Sequence, residues 1–235
     1  MKSGTSQPKT LLLIGASRGL GYAMAEHFLE RGWNVVGTVR GTARTRLHEL
    51  GERSAGRLQI ETVDITVPAE VSALRGRLAG RSFEMLFVNA GVANDPLQTI
   101  GNVATEEFVR VMVTNALSPM RVVETCYDLV THDGTIGVMS SGQGSVANNT
   151  SGQREVYRGS KAALNMFMRS FAARRGADRH PLVLMAPGWV RTDLGGPDGR
   201  LGIEESIPGV VTTLLSVHGK AGLHYLDYQG RTVPW

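Results

Sequence analysis

From position 10 onward, short apolar runs alternate with longer stretches in which apolar residues recur every three to four positions. The short runs have the length and continuity of strands buried on both faces, and the longer recurrence is that of amphipathic helices. Strands are predicted over 10–14, 34–39, 58–63, 85–88, 135–139, 182–185 and 223–226, and helices over 20–31, 68–78, 105–130, 155–174 and 207–216. Strands that alternate with helices predict α/β class: one doubly wound domain over 10–235, with a mainly seven-stranded parallel sheet flanked by helices. In such a sheet the crossovers are right-handed and ligands sit beyond the carboxyl ends of the strands. Two stretches rich in glycine and polar residues, 142–153 and 195–202, follow strands five and six, where site loops belong. Residues 1–9 are polar and read as a disordered tail.

Composition narrows the function classes. At 42% hydrophobic and 20% charged over 235 residues, the chain can bury a large core without staples. The single cysteine, Cys126, excludes an internal disulfide and a cysteine-cluster metal site, and reads as a small buried apolar residue in a reducing cytoplasm. The six histidines are dispersed, so no metal site is expected. No run approaches the about 18 apolar residues of a membrane span. The formal charge of +4 comes from scattered arginines without a run or aromatic interleaving, which reads as a solvated surface rather than a nucleic-acid footprint.

The first strand runs straight into Gly15-Ala16-Ser17-Arg18-Gly19-Leu20-Gly21, and a helix follows. A Gly-x-x-x-Gly-x-Gly turn between a first strand and first helix suits a dinucleotide. Gly15 allows a sharp exit, Gly19 a close backbone approach to a pyrophosphate, and Gly21 tight helix–sheet packing. The helix N-terminus offers free N–H groups and a positive dipole end to the phosphates. At the end of strand two, where an NAD site presents a carboxylate to the ribose, this chain has Arg40, and Arg18 sits within the turn. Two arginines and no acid predict NADP(H), preferred over NAD(H), with the guanidinium of Arg40 on the 2′-phosphate. The alternative is that both arginines are merely solvated.

Tyr157 and Lys161 stand four apart on a predicted helix, and so on one face of it. A cation beside a phenol favours the phenolate and lowers its pKa, which makes a tyrosine competent to exchange a proton with a substrate oxygen. The bland alternative is an exposed helix pair.

Beside these stand Asp64, Asn89-Ala90-Gly91, Asn115, Ser140-Ser141 and Pro187-Gly188, in that order along the chain. From about position 10 to the end, the ordered set resembles the short-chain dehydrogenase/reductases. In its finer features, Ser140-Ser141-Gly142-Gln143-Gly144-Ser145 and Tyr157-Arg158-x-Ser160-Lys161-Ala162-Ala163, it is similar to the subgroup of sniffer-like carbonyl reductases and the bacterial developmental C-factor. The resemblance implies a Rossmann-type fold and reduction of a small aldehyde or ketone, or oxidation of an alcohol. It implies that Tyr157 is the general acid or base, that Lys161 lowers its pKa and bonds the nicotinamide ribose, and that Ser141 steadies the substrate oxygen. Asn115 would interrupt its long helix and position a water that relays protons to Lys161. Asp64, with Ile65 beside it, would contact the adenine, and Asn89, Ala90 and Gly91 would pass along the adenosine. Ser17 and Leu20 complete the glycine turn. Pro187, Gly188, Val190 and Thr192 would line the nicotinamide, Val190 through its backbone and Thr192 through its hydroxyl.

Each residue also has a plainer reading: Ser140 competes with Ser141, Asn115 could bond backbone, Asn89 could serve a turn, and Asp64 could cap the next helix. Ile14 stands where the family usually has a threonine, so one side-chain bond to the Asn89 segment is expected to be lost. The short 195–202 segment implies an open site. The C-factor likeness keeps a rival in view, a cofactor-loaded regulator with little turnover. A dehalogenase-type lyase on the same fold is opposed by Lys161 and the glycine turn. The family often forms homodimers through the two long helices, here 105–130 and 155–174, although monomers occur.

Overall fold

The computed structural model describes residues 8–176 and 180–235, so most of the predicted 1–9 tail lies outside the described residues. Seven strands, β1 (Thr10–Ile14), β2 (Asn34–Val39), β3 (Leu58–Thr62), β4 (Phe83–Val88), β5 (Val130–Met139), β6 (Pro181–Ala186) and β7 (Gly222–Asp227), form one parallel sheet in the order β3-β2-β1-β4-β5-β6-β7. Successive β1 side chains point to opposite faces, and both faces are buried. Leu12 and Ile14 join the core under α3 (Pro68–Arg77), α5 (Ser118–Cys126) and α6 (Glu155–Arg174). Leu11 and Leu13 join the core under α1 (Gly19–Glu30), α2 (Arg46–Arg53) and α7 (Ile203–Ser216). β1 pairs with both β2 and β4, so the winding direction reverses across it. The crevice at the carboxyl ends of β1 and β4 is therefore the topological switch point, where a doubly wound sheet binds its ligand.

The 105–130 helix is interrupted at Asn115, as the resemblance implies: α4 (Thr105–Met112) passes into a π-helical stretch, Val113–Leu117, before α5, and then into a 3₁₀ turn, Tyr127–Leu129. Pro119 sits in the first turn of α5, where its missing N–H is harmless, and Asn115 lies in the π stretch. β5 begins at Val130 rather than 135, because Val130 pairs with Phe83 across an irregularity that the polar residues His132 and Asp133 hide from the sequence pattern. Helix α2 was not predicted. It buries only Leu47 and Leu50, and its start is fixed by a capping box in which Thr45 N–H donates to His48 Nδ1 at 3.0 Å.

Among the described residues no helix is long and apolar enough to cross a membrane, and no group of three His, Cys, Asp or Glu gathers for a metal. Cys126 is a free thiol buried under the sheet.

Candidate active site

The glycine turn is held from both neighbouring strands. Gly15 N–H donates to Thr38 Oγ1 on β2 at 2.9 Å, and Ala16 N–H to Thr38 O at 2.8 Å. On the other side Asn89, just past β4, donates its Nδ2 to Gly15 O at 2.8 Å. Asn89 and Ala90 N–H both reach Ile14 O, at 2.9 and 3.1 Å. The side-chain bond forgone at Ile14 is thus made up by backbone and by the Asn89 amide. Gly21 is obligatory: a Cβ there would lie 2.0 Å from Gly15 O. Gly15 and Gly19 have φ of +86° and +55°, which glycine adopts freely. Ser17 is partly buried in the turn, and Leu20 packs against the core below it.

The residues fit a dinucleotide. Arg18 occupies the N-cap of α1 without a side-chain capping bond, and the first turn holds no acid, so its N–H groups and positive dipole end remain available to an anion. A Cβ on Gly19 would have nothing nearer than Thr192 Cγ2 at 4.0 Å, so the backbone there is open to close approach. Arg40 stands exposed at the end of β2. Its charge reaches Asp64 at the end of β3, whose carboxyl is held below its ordinary value first by the Thr66 hydroxyl and then by backbone and Arg40. Asp64 Oδ1 accepts from Thr66 N–H and Oγ1 at 2.9 and 2.7 Å, an Asx-type turn leading into α3, whose N-cap is Val67. Ile65 is buried in the core.

The reactive residues meet where β4 and β5 end. Ser140 and Ser141 point opposite ways. Ser140 is buried and donates to Asn165 Oδ1 at 2.6 Å. Ser141 caps the short 3₁₀ turn Gly142–Gly144, accepting from Gln143 N–H at 3.1 Å, and its hydroxyl lies near enough to the Tyr157 phenol to pull its pKa down. Tyr157 and Lys161 share one face of α6, with Lys161 Nζ 5.9 Å from the ring centroid. Lys161 is buried, and its ammonium donates to Met139 O at 2.8 Å. Burial lowers its pKa from 10.5 to about 8.

The sequence predicted a phenol lowered by Lys161. Instead, burial pushes the Tyr157 pKa up, and the opposing downward pulls come from the Ser141 hydroxyl and the Arg154 charge. Asn115 is fully buried, and its amide is spent on structure. Nδ2 donates to Val92 O and Ser160 Oγ at 2.8 and 2.9 Å, and Oδ1 accepts from Val92 N–H at 2.8 Å. Ser160 in turn donates to Tyr157 O at 2.7 Å, so Asn115 ties α6 to the Gly91–Val92 backbone.

The far wall follows β6. Ser206 Oγ, on α7, donates to Pro187 O at 2.7 Å, and Gly188 takes φ +86° beneath Leu201. The 195–202 segment does not hang free. Val190 pairs with Leu201, Thr192 with Gly196, and Trp189 Nε1 donates to Gly195 O at 2.7 Å. Gly195 N–H also donates to Thr192 Oγ1 at 2.9 Å.

Sequence reasoning missed Thr38, Arg154 and Tyr225, and it quoted Ser160 within the Tyr157–Lys161 motif without giving it a role. The Tyr225 hydroxyl donates to Ser141 O at 2.5 Å from β7 and so steadies the serine from behind. The Thr38 and Tyr225 contacts join residues 23 and 84 positions apart, and no short motif announces them. Arg154 carried a local signal, its place three residues before Tyr157.

A profile described as short chain dehydrogenase matches residues 9–200. The C-signal protein of Myxococcus xanthus is 35% identical over 154 residues, 65% of this chain and 92% of that protein. Among solved structures, a short-chain dehydrogenase/reductase of Burkholderia multivorans with bound NADP is 66% identical, with a TM-score of 0.96 over 97% of this chain and 100% of the other. A carbonyl reductase of Pseudomonas aeruginosa PAO1 in complex with NADP is 33% identical, with a TM-score of 0.90 over 97% and 100%. With its glycine turn at the switch point of a seven-stranded parallel sheet, this chain belongs to the short-chain dehydrogenase family of oxidoreductases.

Proposed function

We propose that the chain is an NADP(H)-dependent carbonyl reductase, reducing an aldehyde or ketone or running the reverse oxidation of an alcohol. The observation that carries this reading is the convergence of the Ser141 hydroxyl, the Tyr157 phenol and the buried Lys161 ammonium beside an uncapped glycine turn. The turn residues Gly15, Ser17, Arg18, Gly19, Leu20 and Gly21, with Asn89, Ala90 and Gly91, would hold the cofactor. Arg40 would take its 2′-phosphate and Asp64 and Ile65 its adenine. Pro187, Gly188, Val190 and Thr192, with Lys161, would flank the nicotinamide half. The bound cofactor supplies the hydride.

The chain's own residues handle the proton. Reduction needs a protonated Tyr157 at neutral pH, and burial favours that form. Tyr157 gives its proton to the carbonyl oxygen while the Ser141 hydroxyl supports the charge that develops there. Lys161 stabilises the phenolate left behind, and in the oxidative direction that phenolate is the base. Asn115 acts by positioning, since both its N–H groups are already used. Ser141 rather than Ser140 serves the substrate, because the Ser140 hydroxyl is turned into the core.

Tyr157→Phe keeps the ring and removes the acid. Turnover of carbonyl compounds should fall at least about 100-fold while NADPH binding, followed by fluorescence titration, persists. A variant that still turns over at the wild-type rate sinks the assignment. We further propose a homodimer built on α5 and α6, in a reducing cytoplasm that suits the free Cys126 thiol.

A further inference from the structure

Three arginines line the cleft at the carboxyl end of the sheet, and they are not equivalent. A cavity of about 430 Å³ is bounded by the segment after β4, by α4 and by the loop after β6; Arg18, Arg110 and Arg154 are on its wall, with Asp193 as the only carboxylate among the lining residues. Arg18 is paired with that Asp193 at 3.1 Å. Arg110 grips Glu107 through Nε and Nη2, each at 2.7 Å, and gives Nη2 to Ala93 O. Arg154 has neither arrangement. Among the described residues its side chain has no carboxylate partner and no hydrogen bond, and it lies over Trp189 with its guanidinium carbon 5.9 Å from the ring centroid.

The backbone of Arg154 is also unusual. It has φ +57° and ψ +42°, left-handed values shared by one other non-glycine residue among those described. Glycine would adopt them without strain. The position sets the guanidinium directly ahead of α6, three residues from Tyr157, close enough for its charge to act on the phenol. A half-buried cation calls for a counter-charge, and a guanidinium without hydrogen bonds of its own keeps its N–H groups free for bidentate bonding.

We propose that Arg154 is a specificity residue that pairs with a carboxylate on the substrate, so that the chain prefers carbonyl compounds bearing an acidic group to neutral aldehydes and ketones. The inference rests on the carbonyl-reductase reading above. In the reaction the carbonyl carbon gains the hydride and its oxygen gains the Tyr157 proton, while the carboxylate is unchanged.

The test uses a matched pair, 4-carboxybenzaldehyde and its methyl ester, with NADPH. Wild type should favour the acid by about 10-fold or more in kcat/KM, and Arg154→Gln should lower the acid-to-ester ratio about 10- to 100-fold, chiefly through KM for the acid. Arg154→Lys should restore part of the ratio, and NADPH affinity should not change in either variant. A wild type without preference for the acid overturns the proposal. So does an Arg154→Gln enzyme slowed equally on both aldehydes, or one with weakened NADPH binding. Calorimetric titration of the NADPH-loaded protein with benzoate and benzamide reads the same recognition without turnover. Benzoate binding that is lost in Arg154→Gln supports the proposal even if neither aldehyde is reduced, whereas equal binding of benzoate and benzamide overturns it.

Discussion

Lys161 carries opposite demands from chemistry and stability. Its folded pKa of about 8 lies below the 10.5 of the unconstrained side chain, so between these values the folded chain binds fewer protons than the unfolded one. Stability therefore rises with pH across that window, and below about 8 the full burden of the buried charge is present. That burden is about 3 kcal/mol, partly offset by the bond to Met139 O. Lys161→Met should raise the melting temperature at pH 7 by several degrees, with the gain shrinking toward pH 10, and should abolish turnover. A lower melting temperature at pH 7 would refute this account. Reductive turnover of the parent chain should fall above about pH 8 as Lys161 loses its charge. The Tyr157–Lys161 spacing was legible in the sequence because a helix fixes which positions share a face. The upward push on the phenol was not, because it depends on what the fold packs around it. The inward turn of the Ser140 hydroxyl, which supports the choice of Ser141, likewise depends on Asn165, a residue 25 positions away.

At the scale of elements, the proposed preference for NADP(H) turns on the end of β2. Arg40→Asp should weaken NADPH binding about 10- to 100-fold while NADH binding holds or improves, measured by titration with each nucleotide. Equal loss for both would show that Arg40 serves the fold instead. Because Arg40 also helps hold Asp64 ionised, Arg40→Ser is the milder control. Long, strongly patterned elements such as β1, β2 and α6 were readable nearly to the residue. The misses share a cause: local pattern was overruled by partners elsewhere. The polar start of β5 is a strand because β4 lies beside it, and α2 is a helix with only two buried side chains. The π stretch at Asn115, implied by the family resemblance though not by apolar periodicity, places the Asn115 amide against Val92 and Ser160.

For the whole molecule, the sheet order places every proposed site residue at one edge, away from the outer faces of α5 and α6 on which the proposed dimer would be built. There Leu117 and Phe167, 39% and 44% exposed, line a groove of about 250 Å³ bordered by the Glu124–Arg174 pair. A twofold contact would set this face against its own copy. Phe167→Asp places a charge in that contact and should convert a sedimenting dimer into a monomer; a parent chain that sediments as a monomer would remove the dimer from the proposal. One further consequence follows from the solitary cysteine. Burial pushes the Cys126 thiol up to about 11, so almost none of it is the thiolate that reacts with maleimides near neutral pH. The chain is thus ready for single-site labelling as it stands. A cysteine introduced at exposed Leu194, on the cleft wall, would take a fluorophore alone and report ligand entry.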